Sequence, residues 1–352
     1  MAICADTCWR LILAVIAQLS GSKSGSSANA LDNLKELCAA DLARVNQTIV
    51  DRMQSDVPLI PELAGHLVAA GGKRLRPLLT LASARMCGYQ GDKHITLAAA
   101  VEFIHTATLL HDDVVDESDL RRGRKTANAV WGNQASVLVG DYLFSRSFRL
   151  MVESESLKVL DVLANASAVI AEGEVAQLTT ANDTTTSEEA YLYVIRSKTA
   201  ALFAAACEVG GLIAGQSETV TNALEQYGAN LGIAFQLVDD YLDYASSAEA
   251  MGKKAGDDFR DGKITLPIVL AMRRGDDEER SFWQRTLEEG EQKDADLEHA
   301  ADLLQKHDAL TDTLIRASGY ADTARAALSD LPDNDHRAAL EDVIDFCVDR
   351  AY

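Results

Sequence analysis

An all-α fold is predicted by three features of the chain: a helix-forming composition, apolar residues at helical spacing, and no convincing run of alternating strand pattern. The 352 residues are 47% hydrophobic and 6% aromatic, with frequent Ala and only 5 Pro. Ala is the best helix former and Pro the worst, so the composition leans to helix. A chain of this length buries a sizeable core, as one large domain or two ordinary ones. No repeat of solenoid period divides it, and it reads as one large helical domain.

The elements follow in order. Leu11 to Leu19 is an apolar run that leads through Ser/Gly-rich sequence to Ala28-Asn29-Ala30, a small-residue triplet of the signal-peptide kind. Asp6 and the single cation Arg10 argue against a signal, and the run is too short to span a bilayer. Residues 1–30 are therefore expected to be an extension, with a flexible linker over Gly21–Ala30, and residues 31–352 the functional domain. Leu34, Leu37, Cys38 and Leu42 form one helical stripe, as do Val45, Ile49 and Met53. Pro58 and Pro61 open a new element, and Lys73–Met86 reads as a helix closed by Gly88. From Ile95 to Val115 the chain is apolar with few breakers, the pattern of a helix buried all round. Gly123–Asn128 reads as a loop, followed by helices over Ala135–Val152, Leu157–Thr180, Glu188–Ala214 and Thr219–Tyr244. Ser246–Gly262, rich in Gly, Lys and Asp, is a loop or lid. A helix over Ile264–Met272 is entered near Pro267, and beyond Gly275 the chain is acidic and amphipathic, punctuated by Gly319 and Pro332.

The formal net charge of −21 repels phosphate backbones and excludes nucleic-acid binding as the expected function. The six cysteines form no CxxC pair, which fits buried or free thiols in a reducing compartment.

Two acidic patches stand out, each at the end of an apolar helix. In His111-Asp112-Asp113-Val114-Val115-Asp116, Asp112 and Asp116 are four apart and share a helix face. Like charges at that spacing repel, and unpaired carboxylates on a buried helix are costly. A divalent cation resolves both problems. Asp239-Asp240-Tyr241-Leu242-Asp243 repeats the arrangement after Phe235, Leu237 and Val238. Carboxylates with water suit Mg2+, which takes one or two carboxylates plus substrate phosphates. One such patch alone is more often a solvated face; two, both on apolar helices, are not readily so explained.

Basic clusters run against the acidic background. Gly71-Gly72-Lys73-Arg74-Leu75-Arg76-Pro77 and Arg121-Arg122-Gly123-Arg124-Lys125 offer Arg forks and Lys charges suited to phosphate oxygens, although surface salt bridging would also use them. Lys198-Thr199 lies in a mostly apolar helix, Gln236 beside the second acidic patch, and Lys253 and Lys263 in the lid. A buried Lys198 needs an anion, either a bound diphosphate or a structural Glu. His105, on the helix leading to Asp112, is on its own more readily a satisfied core residue than a ligand. Metal bridging between carboxylates and a diphosphate is the simplest chemistry that uses all these groups.

This ordered set resembles the trans-polyprenyl diphosphate synthases, relatives of the farnesyl and geranylgeranyl diphosphate synthases. The anchors are Gly71 to Pro77, His105 to Arg124, Lys198-Thr199, Phe235 to Asp243, and Gly262-Lys263-Ile264-Thr265-Leu266-Pro267. The resemblance runs from about Leu34 to the C-terminus. It implies a single large helical bundle with a deep central cavity, usually homodimeric. It implies that Asp112, Asp116 and Asp239 are the principal Mg2+ ligands, with Asp113, Asp240 and Asp243 completing the patches. Arg121, Lys198, Thr199, Gln236, Lys253 and Lys263 would hold an allylic diphosphate, and Lys73, Arg76, His105 and Arg122 isopentenyl diphosphate. The implied reaction condenses the two into a longer prenyl diphosphate in the cytoplasm, with membrane contact limited to transient product release.

Short-chain members of the family carry bulky aromatics just before the first acidic motif. Here Ala107 and Thr108 are small, and no insertion interrupts Asp112–Asp116. By analogy the expected product has about eight to ten isoprene units, the kind used as a quinone tail. Competing readings are a shorter-chain farnesyl or geranylgeranyl synthase and a silent subunit of a heteromeric synthase. More distant ones are a terpene cyclase or head-to-head synthase, and a His-Asp phosphohydrolase, for which His66, His94, His299, His307 and His336 lack motif-like surroundings.

Overall fold

A computed structural model of the chain describes residues 26–69, 72–121, 123–245 and 256–349. Helices dominate: α1 Ser26–Leu37, α2 Ala39–Arg52, α3 Leu59–Ala69, α4 Leu75–Met86 and α5 Lys93–Val115 form the first half. A two-stranded antiparallel ladder, β1 Leu120–Arg121 with β2 Arg124–Lys125, interrupts them. Then come α6 Ala127–Trp131, α7 Asn133–Glu153, α8 Leu157–Thr180, α9 Glu188–Ile195, α10 Ala201–Ile213 and α11 Glu218–Ala245. The last part holds α12 Asp257–Arg260, α13 Leu266–Arg274, α14 Asp277–Trp283, α15 Asp296–Lys306, α16 Ala309–Leu328 and α17 Asp335–Asp349. Single π-helical turns join α9 to α10 at Arg196–Ala200 and extend α14 at Gln284–Glu288.

α5 is the central helix. It packs on α2, α4, α7 and α10, and from His94 to Ile104 nearly every side chain is buried. Ala98, Ala99 and Ala100 let its neighbours approach closely, which is why the helix lacks a polar face. α11 is the second organiser, packed on α10, α13, α16 and α17. It serves two cores: Leu231 and Ala234 join the one around α5, while Ile233, Leu237 and Val238 join the one with α13 to α16.

The boundaries depart from the sequence reading where local chemistry overrides pattern. α1 already begins at Ser26, inside the stretch read as linker. α4 starts at Leu75 rather than Lys73 because Arg74 is left-handed at φ 51° and its guanidinium is held by buried Glu102. The 123–128 loop contains the second strand of the ladder and the start of α6. The helix read over Glu188–Ala214 is broken by the π turn. Gly319 does not punctuate: it sits within α16 with open space beside it, where a helical Gly costs only about 1 kcal/mol relative to Ala. Start signals held better. Ser156 and Ser187 cap α8 and α9, Asp276 and Glu279 form a capping box on α14, and Pro267 occupies the first turn of α13.

Candidate active site

Both acidic patches lie at helix C-termini, where the macrodipole already carries negative charge and carboxylates are disfavoured. Asp112 and Asp113 end α5, with Asp116 as its cap; Asp239, Asp240 and Asp243 fall in the last turns of α11. Lys263 reaches the α11 end through Asp258, with which it pairs at 3.6 Å and whose backbone donates to Asp243, and it feels Asp116 at the α5 end. Burial works against its charge, but Asp258, Asp261 and Asp116 hold its pKa above the ordinary lysine value.

Asp112 is half-buried, and burial pushes its pKa up to about 7 against the pull of Lys198. The Lys198 ammonium lies 3.8 Å from Asp112 Oδ2 and 2.8 Å from Glu174 Oε2. Glu174 is thus one anionic partner of this lysine, beside Asp112. Lys198 and Thr199 sit on the π turn, and such turns re-aim side chains by adding one residue to a helical cycle. Gly173 makes room for it: a Cβ there would lie 2.6 Å from Ser197 Cβ. On the opposite side, a Cβ on Gly232 would lie 2.7 Å from Ala200 Cα. α8 and α11 therefore clamp the turn from both sides, and Glu174 comes to Lys198 because Gly173 precedes it.

Asp113 and Asp240 are placed differently from their neighbours. Asp113 is buried, and its Oδ1 accepts a hydrogen bond of 2.8 Å from Arg121 Nε. Asp240 is buried at 3% exposure, with Oδ2 accepting from the Tyr191 hydroxyl at 2.5 Å and Oδ1 from Gln236 Nε2 at 2.8 Å. Burial, followed by the nearby Asp258 carboxylate, raises its pKa. The sequence groups both with the metal-patch acids, and here both accept hydrogen bonds from protein side chains. Each is one residue round the helix from Asp112 or Asp239, faces inward and anchors a polar partner. Asp116 is exposed, and Asp243 accepts a hydrogen bond at Oδ2 from the Asp258 backbone at 3.1 Å. Asp258 itself is pushed up to about 7 by burial and then by Asp243.

The remaining groups divide. Arg76 and His105 meet, with Nη1 3.3 Å from Nε2, and the Arg76 guanidinium lies 4.4 Å from the Phe203 ring centroid. Lys73 is exposed, its ammonium 4.7 Å from the Phe346 ring centroid. Thr199 donates to Gln236 Oε1 at 3.0 Å. Ala107 is fully buried, while Thr108 is half-buried and donates to the His105 carbonyl. Arg122 and Lys253 lie outside the described residues. Three contributors escaped the sequence reading: Tyr191, Glu174 and Asp258. Only Asp258 left a signal, as an acid beside Lys263 in the Gly-rich lid.

A family model described as Polyprenyl synthetase matches residues 57–304. The chain belongs to the polyprenyl synthetase family. Every site residue named above except Phe346 falls inside that match. The octaprenyl diphosphate synthase of Escherichia coli is 48% identical over 320 residues, covering 91% of this chain and 99% of that one. A decaprenyl diphosphate synthase structure from Rhodobacter capsulatus is 57% identical, with a TM-score of 0.89 over 92% of this chain and 99% of that one. A polyprenyl synthase structure from Caulobacter crescentus, complexed with calcium and isoprenyl diphosphate, is 55% identical, with a TM-score of 0.88 over 94% and 100%.

The all-α architecture is therefore that of the family's solved members. Among the described residues, no helix is long and apolar enough to cross a membrane. Cys38, Cys87, Cys207 and Cys347 are free thiols, and burial pushes Cys38 and Cys207 up to about 12.

Proposed function

We propose that this prenyltransferase adds isopentenyl diphosphate to an allylic diphosphate and makes a long-chain product of about eight to ten isoprene units. The observation that carries the reading is that Lys263 feels Asp116 at one carboxylate-bearing helix end and pairs with Asp258, whose backbone donates to Asp243 at the other, with Lys198 beside Asp112. The octaprenyl and decaprenyl specificities of close relatives support the length, and a quinone side chain is the corresponding use.

The donor chemistry suits Mg2+: hard carboxylate oxygens at helix ends that favour cations, with Asp112 and Asp243 half-buried and Asp116 and Asp239 exposed. No three acids among the described residues cluster closely enough to hold an ion alone, so substrate phosphates would complete its shell. Asp112, Asp116, Asp239 and Asp243 would hold it, and Asp113 and Asp240 act as anchors behind them. When bound, the metal supplies charge stabilisation for a departing diphosphate. Lys198, Lys263 and Arg121 add cationic donors on the leaving-group oxygens, with Thr199 and Gln236 orienting them. Lys253 joins this set by resemblance. On the other side Arg76 and His105, with Lys73 and Arg122, hold isopentenyl diphosphate so that its double bond faces the allylic carbon. As the allylic C–O bond breaks, the double bond supplies the electrons of the new C–C bond. A proton is then lost from the adjacent carbon, and no protein base stands out, so the released diphosphate is the acceptor. Water that would trap the cation must be kept out, the role expected from sequence for the segment 246–262, of which residues 246–255 lie outside the described residues.

The second copy of the chain has a natural place. Adjoining helices α7 and α8 expose Leu138 (67%), Val152 (62%), Leu157 (84%) and Leu178 (63%). An apolar face of this kind on a globular chain suits an isologous homodimer. The acidic charge and the free thiols among the described residues support a cytoplasmic enzyme. Both intact acidic patches weigh against a silent subunit. Incubation with labelled isopentenyl diphosphate, farnesyl diphosphate and Mg2+, followed by chromatographic sizing, tests the reading. Products of octaprenyl to decaprenyl length support it; arrest at farnesyl or geranylgeranyl length overturns the long-chain assignment.

A further inference from the structure

A continuous polar chain runs behind the site. Tyr191, on α9, donates its hydroxyl to Asp240 Oδ2 at 2.5 Å; Asp240 Oδ1 accepts from Gln236 Nε2 at 2.8 Å; and Gln236 Oε1 accepts from the Thr199 hydroxyl at 3.0 Å. Tyr191 and Asp240 are buried, and Thr199 lies on the π turn beside Lys198. Four side chains from three segments are thus fixed in sequence, and the amide of Gln236 can face only one way. Its nitrogen must donate to Asp240, so its oxygen must receive Thr199.

We propose that Tyr191 is a positioning residue for the allylic diphosphate site: its hydroxyl locks Asp240, which sets the Gln236 amide and pins the π turn that presents Lys198 and Thr199. The physical grounds are threefold. A π turn lacks the regular hydrogen-bond ladder of an α-helix and needs outside support. Buried polar networks are rigid only when every member is satisfied. And Tyr191 supplies the network's terminal donor. Removing it leaves one buried carboxylate oxygen without its partner and the Gln236 amide free to turn over.

The proposal rests on the assignment of Lys198 to diphosphate binding, so its test separates the two. In the full-length protein, binding of inorganic pyrophosphate in the presence of Mg2+ is measured by titration calorimetry for wild type, Tyr191→Phe, Tyr227→Phe and Lys198→Met. Tyr227 is the matched control. It is equally buried and donates to the Leu340 carbonyl at 2.8 Å, remote from this chain of hydrogen bonds. Tyr191→Phe is expected to weaken pyrophosphate binding by about 10-fold, the scale of one hydrogen bond to a charged group. Tyr227→Phe should leave it unchanged. In steady-state assays the Tyr191→Phe effect should fall on KM for the allylic substrate and not on KM for isopentenyl diphosphate, whose groups Arg76 and His105 lie off the relay.

Amide hydrogen exchange across residues 196–200 gives a second readout that remains usable if the variant is less stable. Exchange should accelerate there in Tyr191→Phe and not in Tyr227→Phe. Unchanged binding in Tyr191→Phe, or equal losses in both Tyr variants, overturns the proposal. Loss of binding in Lys198→Met with none in Tyr191→Phe overturns the relay alone. Intact binding in Lys198→Met overturns the site assignment beneath it.

Discussion

Asp112 concentrates the conflict that the site is built around. Its carboxyl, ordinarily at 3.8, is pushed up to about 7 by burial, and Asp258 is likewise pushed up to about 7. Raised carboxylates bind protons more tightly in the folded state. The stability they contribute is fully present below about pH 4 and is lost as pH rises through about 7. Glu279 and Asp296 behave oppositely: hydrogen bonds from Lys306 and Arg285 hold them well below the usual range, so they weaken the fold only in strong acid. The metal-free protein should therefore melt at lower temperature at about pH 8 than at about pH 6. Asp112→Asn should flatten that slope, and Mg2+ should raise the melting temperature most at the alkaline end; thermal melts across that range check both. The sequence makes the acids legible because like charges four apart recur at the ends of two apolar helices, where a solvated face does not readily explain both. It could not separate Asp113 and Asp240 from their neighbours, since which acid turns inward depends on partners, Arg121 and Tyr191, that only the fold supplies.

The long apolar helices were readable in order, because α5 and α11 carry clear patterns and few breakers. The π turn at Arg196–Ala200 was not: it contains no Gly or Pro, and it exists because α8 and α11 press on it through Gly173 and Gly232. Gly173→Ala puts a methyl group 2.6 Å from Ser197 Cβ and 3.0 Å from the Lys198 nitrogen. The expected cost is about 1–3 kcal/mol of stability, read by denaturant melts, together with a loss of turnover larger than for Gly319→Ala, which meets open space. The chain-length positions divide in the same physical way. Ala107 is sealed in the core, so Ala107→Phe must also overpack it, whereas half-buried Thr108 can carry a ring at lower cost. Both substitutions should shorten the product on sizing, with Thr108→Phe the better folded; unchanged lengths in both would refute the plug.

The assembled protein is an acidic chain with a local cationic lining, and that contrast is what the composition alone foreshadowed. What composition could not foreshadow is the apolar face of α7 and α8, since each helix separately has the stripe of an ordinary buried element. Leu138→Glu or Leu157→Glu should shift the protein from dimer to monomer in light scattering, and a monomeric wild type would contradict that assignment. The central claim is that the two helix-end acid patches together form one metal–diphosphate centre. It is tested most directly by Mg2+-dependent incorporation of isopentenyl diphosphate in wild type, Asp112→Ala and Asp239→Ala, each verified as folded by circular dichroism. Each variant is expected to lose roughly 1,000-fold or more in turnover, the scale at which loss of transition-state charge stabilisation is felt. Near-normal turnover in either variant would contradict the account.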